Sequence, residues 1–254
     1  MDIKILVATH KKYWMPDDDV YMPLHVGREG KQDLGYIGDN TGDNISSKNA
    51  NYCELTGLYW AWKNLDCEYI GLCHYRRYFG RNDRFISYIR EEKERIFKKT
   101  DYQELLRDYD ILLPTKTFFR KTVGEHYALE HCEKDMNMVR KLIRRKCPDY
   151  IESFDRIINS ASLYSCNMFV AKKSIFNNYC EWLFSLLFDL EKMTDISTYD
   201  AYQSRVYGFL SERMFNVWLH KQNYKITEID VVMLEKKVKL KRRISRRIYK
   251  FLRL

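Results

Sequence analysis

Two adjacent guanidinium groups, Arg76 and Arg77, follow directly on the apolar run Ile70-Gly71-Leu72-Cys73 and the pair His74-Tyr75. An apolar run of that length reads as a buried strand. In open α/β sheets, ligands bind outside the carboxyl ends of the strands. Each guanidinium can make a charge-assisted bidentate contact with phosphate, so the block suits a phosphorylated ligand. It suits equally a surface loop whose arginines pair with carboxylates. Thr9-His10-Lys11 ends a second apolar run, Ile3 to Ala8, and offers small polar and cationic groups at an equivalent place.

Other clusters carry chemistry of their own. Asp39, Asp43, Asn44, Asn49, Asn51 and Glu54 lead into a helical segment. They offer the donors and acceptors that a base and ribose require, or simply Asx turns and helix caps. Tyr127, His131 and Asp135 are spaced by four, which on one helix is one face. That face can bind sugar hydroxyls or be an exposed polar face. Asn167 stands at the start of an apolar strand, either facing a cleft or as a buried amide. Glu212-Arg213 opens a helix. A helix N-terminus favours a charged carboxylate, so a general base there needs burial to raise its pKa. A cap or an ion pair to Arg213 is the plainer reading. No phosphate-binding Gly-x-x-x-x-Gly-Lys-Ser/Thr loop, Gly-x-Gly-x-x-Gly, Gly-x-Ser-x-Gly or His-Glu-x-x-His occurs.

The elements that must position these groups alternate between strand and helix. Strands are expected at Ile3 to Ala8, Glu68 to Cys73, Asp110 to Pro114, Leu163 to Ala171 and Tyr224 to Val232. Helices are expected at Lys48 to Leu65, from Thr100 to about Tyr109, Gly124 to Arg145, Ser174 to Leu190 and Gly208 to Gln222. This alternation predicts an α/β fold with a mainly parallel central sheet flanked by helices.

The chain has 254 residues, 45% of them apolar, and a formal charge of +9. Ten Lys/Arg and no Asp/Glu lie between Lys236 and Leu254, leaving 34 basic and 35 acidic groups elsewhere. The body, residues 1–235, is neutral, which argues against a nucleic-acid partner. In the segment 236–254, Leu240, Ile244, Ile248 and Leu252 form a stripe flanked by arginines. That is the pattern of a helix lying on an anionic membrane surface, or of one packed on the body. Seven scattered cysteines without Cys-x-x-Cys read as reduced thiols of a cytoplasmic protein. No run approaches the ~20 apolar residues of a transmembrane span.

The blocks Ala8-Thr9-His10-Lys11, Tyr52 to Asn64, Gly71 to Phe79, Asn167-Met168-Phe169 and Gly208 to Arg213 resemble a family long described as of unknown function. Its members occur in bacterial capsular and exopolysaccharide glycosyltransferases, some of them galactofuranosyltransferases. The resemblance implies a GT-A-like fold and transfer of a sugar from a UDP-sugar to a lipid-linked saccharide acceptor, on the inner face of the cell membrane. Such enzymes usually carry an Asp-x-Asp that binds Mn or Mg at a central strand end. Here that end is Cys73-His74-Tyr75-Arg76-Arg77, so Arg76 and Arg77 are expected to take over part of the metal's role, and His74 to meet phosphate or metal. Thr9, His10, Lys11, Asn49 and Glu54 are expected to hold the nucleotide. Tyr127, His131, Asp135, Asn167 and Arg213 are expected to meet sugar or acceptor. Glu212 is the expected base, with Asp200 and Asp195 as substitutes. A non-catalytic nucleotide-sugar or saccharide-binding module regulating polysaccharide assembly is the alternative. Deleting 236–254 should lower sedimentation with anionic liposomes while leaving turnover of a water-soluble acceptor intact; loss of that turnover with the fold intact would contradict a pure anchoring role.

Overall fold

A computed structural model describes residues 1–81 and 91–234; the basic segment 236–254 lies outside them. Among the described residues nine strands form the main sheet; seven run in the order β10-β6-β9-β4-β1-β2-β3, and β5 and β11 pair beside them. The nine are β1 (Ile3–Thr9), β2 (Tyr21–His25), β3 (Ile37–Gly38), β4 (Tyr69–His74), β5 (Arg77–Phe79), β6 (Ile111–Pro114), β9 (Phe169–Lys172), β10 (Ile226–Ile229) and β11 (Val231–Met233). β1 runs parallel to both β2 and β4, and β10 parallel to β6. β9 lies antiparallel between β4 and β6, and β5 folds back antiparallel on β4 and β11. The sheet is therefore mainly parallel with one reversed strand at its centre. A separate two-stranded ribbon joins β7 (Thr117–Phe118) to β8 (Ser162–Leu163).

β1 reads as an almost continuous apolar run because both its faces are covered. Leu6 and Ala8 pack into the larger core, beneath the helices Leu55–Asn64, Lys173–Met193 and Val206–Lys221. Ile3, Ile5 and Val7 point the other way, into a layer containing Tyr21, Tyr78, Phe79 and Tyr102. There Tyr21 Oη donates to the Phe97 carbonyl at 2.7 Å, which satisfies a buried phenol.

Four expected elements are broken. The segment from Lys48 to Leu65 divides at Cys53, whose φ is 52°. Asn49 Nδ2 donates to the Cys53 carbonyl at 2.8 Å, holding the break. The helix expected from Gly124 to Arg145 becomes Val123–Glu130 and Glu133–Lys146, parted by an extended His131. The strand expected from Leu163 to Ala171 is interrupted at Cys166 and Asn167, with φ of 71° and 52°. Asp230 separates β10 from β11.

Glycine is required where β4 crosses the middle of the sheet. A Cβ on Gly71 would lie 2.9 Å from the Phe169 carbonyl oxygen and under 3 Å from side-chain atoms of Val170 and Ile5. Gly71→Val should therefore cost about 1–3 kcal/mol through overpacking, read as a drop of several degrees in the calorimetric melting temperature. An unchanged midpoint would contradict this packing.

Candidate active site

The carboxyl ends of the parallel strands β1 and β4 and the N-terminus of the Val206–Lys221 helix enclose a cavity of about 750 Å³. His10 reaches it from the end of β1, and His74 and Tyr75 from the end of β4. Arg77 enters from the first position of β5. Lys31, Asn49, Cys53 and Glu54 form the side nearest β2, and Arg205, Phe209 and Glu212 the helix side. The positive helix end adds to the three full cations Lys31, Arg77 and Arg205.

The turn between β4 and β5 is fixed by backbone bonds from two directions. Tyr75 N donates to the Ala8 carbonyl at 3.2 Å, and Leu234 N donates to the Arg76 carbonyl at 3.1 Å. This geometry separates the arginine pair. Arg77 lines the cavity. Arg76 stacks its guanidinium over the Tyr75 ring at 4.5 Å and hydrogen-bonds the Tyr75 hydroxyl. Arg76 therefore acts on the cavity through Tyr75 and through its field at His10. Burial, followed by the charges of Lys11, Arg76, Lys31 and Arg205, holds the His10 imidazole below its usual pKa.

Glu212 sits deep on the helix side. Its Oε1 accepts from Cys166 N at 3.0 Å and its Oε2 from Arg213 Nη1 at 3.1 Å. About 24% of its side chain stays open. Burial is the largest influence and raises its pKa; the nearby Glu54 carboxylate pushes the same way, while Arg213, the Cys166 N–H and Arg77 oppose. Glu54 is held by Asn167, whose Nδ2 donates to Glu54 Oε1 at 2.8 Å and to Ser211 Oγ at 3.0 Å. His74 Nε2 lies 2.8 Å from the Cys166 carbonyl oxygen, so that nitrogen carries the proton and donates. One dipeptide, Cys166-Asn167, thus ties down Glu212, Glu54 and His74. The helix reaches this site because Gly208 passes close to Cys53; a Cβ there would stand 3.1 Å from the Cys53 sulfur.

The remaining expected residues fall outside the cavity lining. Thr9 is buried and turns its hydroxyl onto the Lys11 carbonyl at 2.6 Å. Lys11 reaches over the Tyr75 ring at 5.3 Å. Tyr127, His131 and Asp135 do not share a helix. His131 stacks on Phe209 at 4.0 Å and pairs with Gln203 at 3.3 Å, while Asp135 accepts from Tyr199 Oη at 2.8 Å. Of the three, His131 packs against Phe209, and Tyr127 packs against His131 at 4.9 Å. Arg213, itself buried, orients Glu212 and donates to the Phe209 carbonyl at 2.9 Å. Asp200 is exposed and takes backbone N–H groups of Tyr202 and Gln203, and Asp195 takes Ser197 N, so both cap their own loop. Asp39, buried, accepts from Gly27 N, Arg28 N, Ser46 Oγ and Thr56 Oγ1, a structural knot beneath the cavity wall. Sequence reasoning missed Lys31 and Arg205. Each is an isolated cation in a loop or at a helix start, and only the sheet topology brings them to Arg77.

Among the described residues no three His, Cys, Asp or Glu side chains converge as ligands. The Glu212 oxygens and Glu54 Oε1 already accept hydrogen bonds from the protein.

These features define an α/β protein with a cavity at the carboxyl ends of its parallel strands. The chain belongs to the family described as Domain of unknown function (DUF4422), which matches residues 4–223. It is similar to the apo structure of WbbM, a bifunctional glycosyltransferase, with 32% identity and a TM-score of 0.85. That similarity covers 93% of this chain and 46% of the other, so the chain spans just under half of WbbM's length. The fold is thus GT-A-like. No curated protein sequence matches.

The Glu212 environment makes a direct prediction. In carbon-13 NMR titration its carboxyl should protonate above the usual glutamate range. Glu54→Gln removes a repelling charge and should move that midpoint down; no movement would dissociate the two carboxylates.

Proposed function

We propose that the protein is a glycosyltransferase that moves a sugar from a UDP-sugar to a lipid-linked saccharide in capsule, O-antigen or exopolysaccharide assembly. The observation that carries this reading is Glu212, a carboxylate whose pKa burial raises and which lines the same cavity as Arg77, Lys31 and Arg205.

Lys31, Arg77 and Arg205, with the N-terminus of the Val206–Lys221 helix, supply the positive charge a diphosphate requires. Their charge grows more valuable as the leaving group departs, because the bond between the anomeric carbon and the diphosphate oxygen breaks while negative charge collects on that oxygen. Glu212 takes the proton of the acceptor hydroxyl as its oxygen attacks the anomeric carbon. A single base on the face opposite the leaving group gives inversion. Its raised pKa suits the role, because a stronger base removes the hydroxyl proton more readily. Asn49, His10 and the wall that includes Ala8 and Val26 fit a nucleoside. These cationic side chains would carry part or all of the charge neutralisation that a divalent cation supplies in related enzymes. The structural likeness to a glycosyltransferase and the family match support the reaction class. Among the described residues no helix is long and apolar enough to cross a membrane, which is compatible with peripheral attachment at the inner face of the cell membrane.

Isothermal calorimetry with UDP tests the cationic ring. Arg77→Ala should weaken binding roughly 10- to 100-fold, the range for losing a hydrogen bond to a charged group, whereas Lys12→Ala, outside the cavity, should change little. Equal small effects would remove Arg77 from the site. For turnover, Glu212→Gln should lower kcat by about 10²–10⁴. It should also abolish an acid limb of kcat/KM that lies above the ordinary carboxylate range, since activity requires the deprotonated form. A retained limb would assign the base elsewhere.

A further inference from the structure

The β7–β8 ribbon pairs apart from the main sheet and carries apolar surface that the other described residues leave uncovered. Phe118 is 76% exposed, and Leu129, on the helix that follows, is 65% exposed. An isolated exposed leucine needs no explanation, but a phenylalanine this open on a two-residue strand does. The ribbon is firmly built. Phe119 N donates to the Ala161 carbonyl at 2.8 Å, and the Phe119 ring packs 4.2 Å from His126, one helical turn before Leu129. Phe118 is therefore held outward by a fixed scaffold.

The charges beside it are mostly positive. Arg120 and Lys121 are exposed in the two positions after Phe119. Lys116 precedes the strand and lies over the Tyr164 ring at 4.9 Å. Of the nearby acids, Glu125 is committed to the Thr122 helix cap through N and Oγ1, and Glu228 accepts from Tyr164 Oη; Glu130 remains exposed. An aromatic side chain between Lys and Arg matches a bilayer interface, where the ring enters the acyl boundary and the cations meet headgroup phosphates. The ribbon also adjoins the active site: Thr117 Oγ1 lies 2.9 Å from Ser165 Oγ, and the next residue, Cys166, lines the cavity.

We infer that the β7 ribbon is a membrane-docking surface that inserts Phe118 into an anionic bilayer, with Lys116, Arg120 and Lys121 at the headgroups. This holds the cavity against the surface on which a lipid-linked acceptor would lie. The ribbon is a different part of the sequence from the basic segment 236–254, and the inference deepens the acceptor part of the proposed function without depending on the chemistry at Glu212.

The test uses the full chain and phosphatidylglycerol vesicles whose acyl chains carry bromine. Phe118→Trp should add an indole emission that the bromines quench, beyond any quenching of the five native tryptophans. Phe118→Ser should weaken vesicle partitioning roughly tenfold, and pure phosphatidylcholine should bind far less of the parent chain. Circular dichroism confirms that both variants are folded. Quenching no greater than in the parent, or partitioning unchanged by Phe118→Ser, would overturn the inference. So would a self-association that Phe118→Ser abolishes in a chain that ignores vesicles. UDP binding by the same samples keeps the two readings apart: docking can fail while UDP still binds, and vesicle insertion can persist where UDP does not bind.

Discussion

Cys166 and Asn167 hold the cavity wall together from a backbone conformation that side chains seldom adopt. Both have positive φ, at a cost of about 1–3 kcal/mol each. The conformation lets Cys166 give its N–H to Glu212 and its carbonyl to His74, while Asn167 gives its amide to Glu54. Hydrogen bonds to charged groups contribute about 1.5–3 kcal/mol each, enough to offset the strain. Relaxing the dipeptide to an extended strand would release three side chains from three different elements at once.

The rest of the architecture brings those elements to the dipeptide. β9 runs antiparallel beside β4, with Leu72 opposite Phe169, so the residues just before β9 arrive next to His74 at the end of β4. Glu54 follows the break at Cys53, and the Val206–Lys221 helix approaches that break through Gly208. On the helix itself Arg213 donates to Glu212, and His131 from outside the helix stacks on Phe209 one turn earlier, which together hold Glu212 in place. Electrostatics then follow from position. Two carboxylates and three cations share a partly closed space, and burial makes each charge count for more than it would in water.

Much of this was legible in the sequence because local signals agreed with the global fold. The apolar runs at β1 and β4 declare buried strands, and the polar residues at their ends line the cavity. His10, Asn49, Glu54, His74, Arg77 and Glu212 all reach the cavity. What failed was anything that depended on where a helix or strand breaks. Tyr127, His131 and Asp135 have ideal helical spacing, but stacking of His131 on Phe209 accompanies a turn that spacing does not encode. Asp200 has the right chemistry, yet its oxygen serves its own loop. Lys31 and Arg205 carry no motif and acquire meaning only through topology.

The central claim is that this cavity seats an activated sugar with its diphosphate at Arg77 and its anomeric carbon within reach of Glu212. A crystal structure of the protein with UDP and a non-transferable UDP-sugar tests it most directly. Diphosphate oxygens should lie within hydrogen-bonding distance of the Arg77 guanidinium, with the sugar between that group and the Glu212 carboxylate and Cys166-Asn167 unchanged. A diphosphate bound away from the ends of β1 and β4, or a sugar with Glu212 shielded from it, would contradict the account.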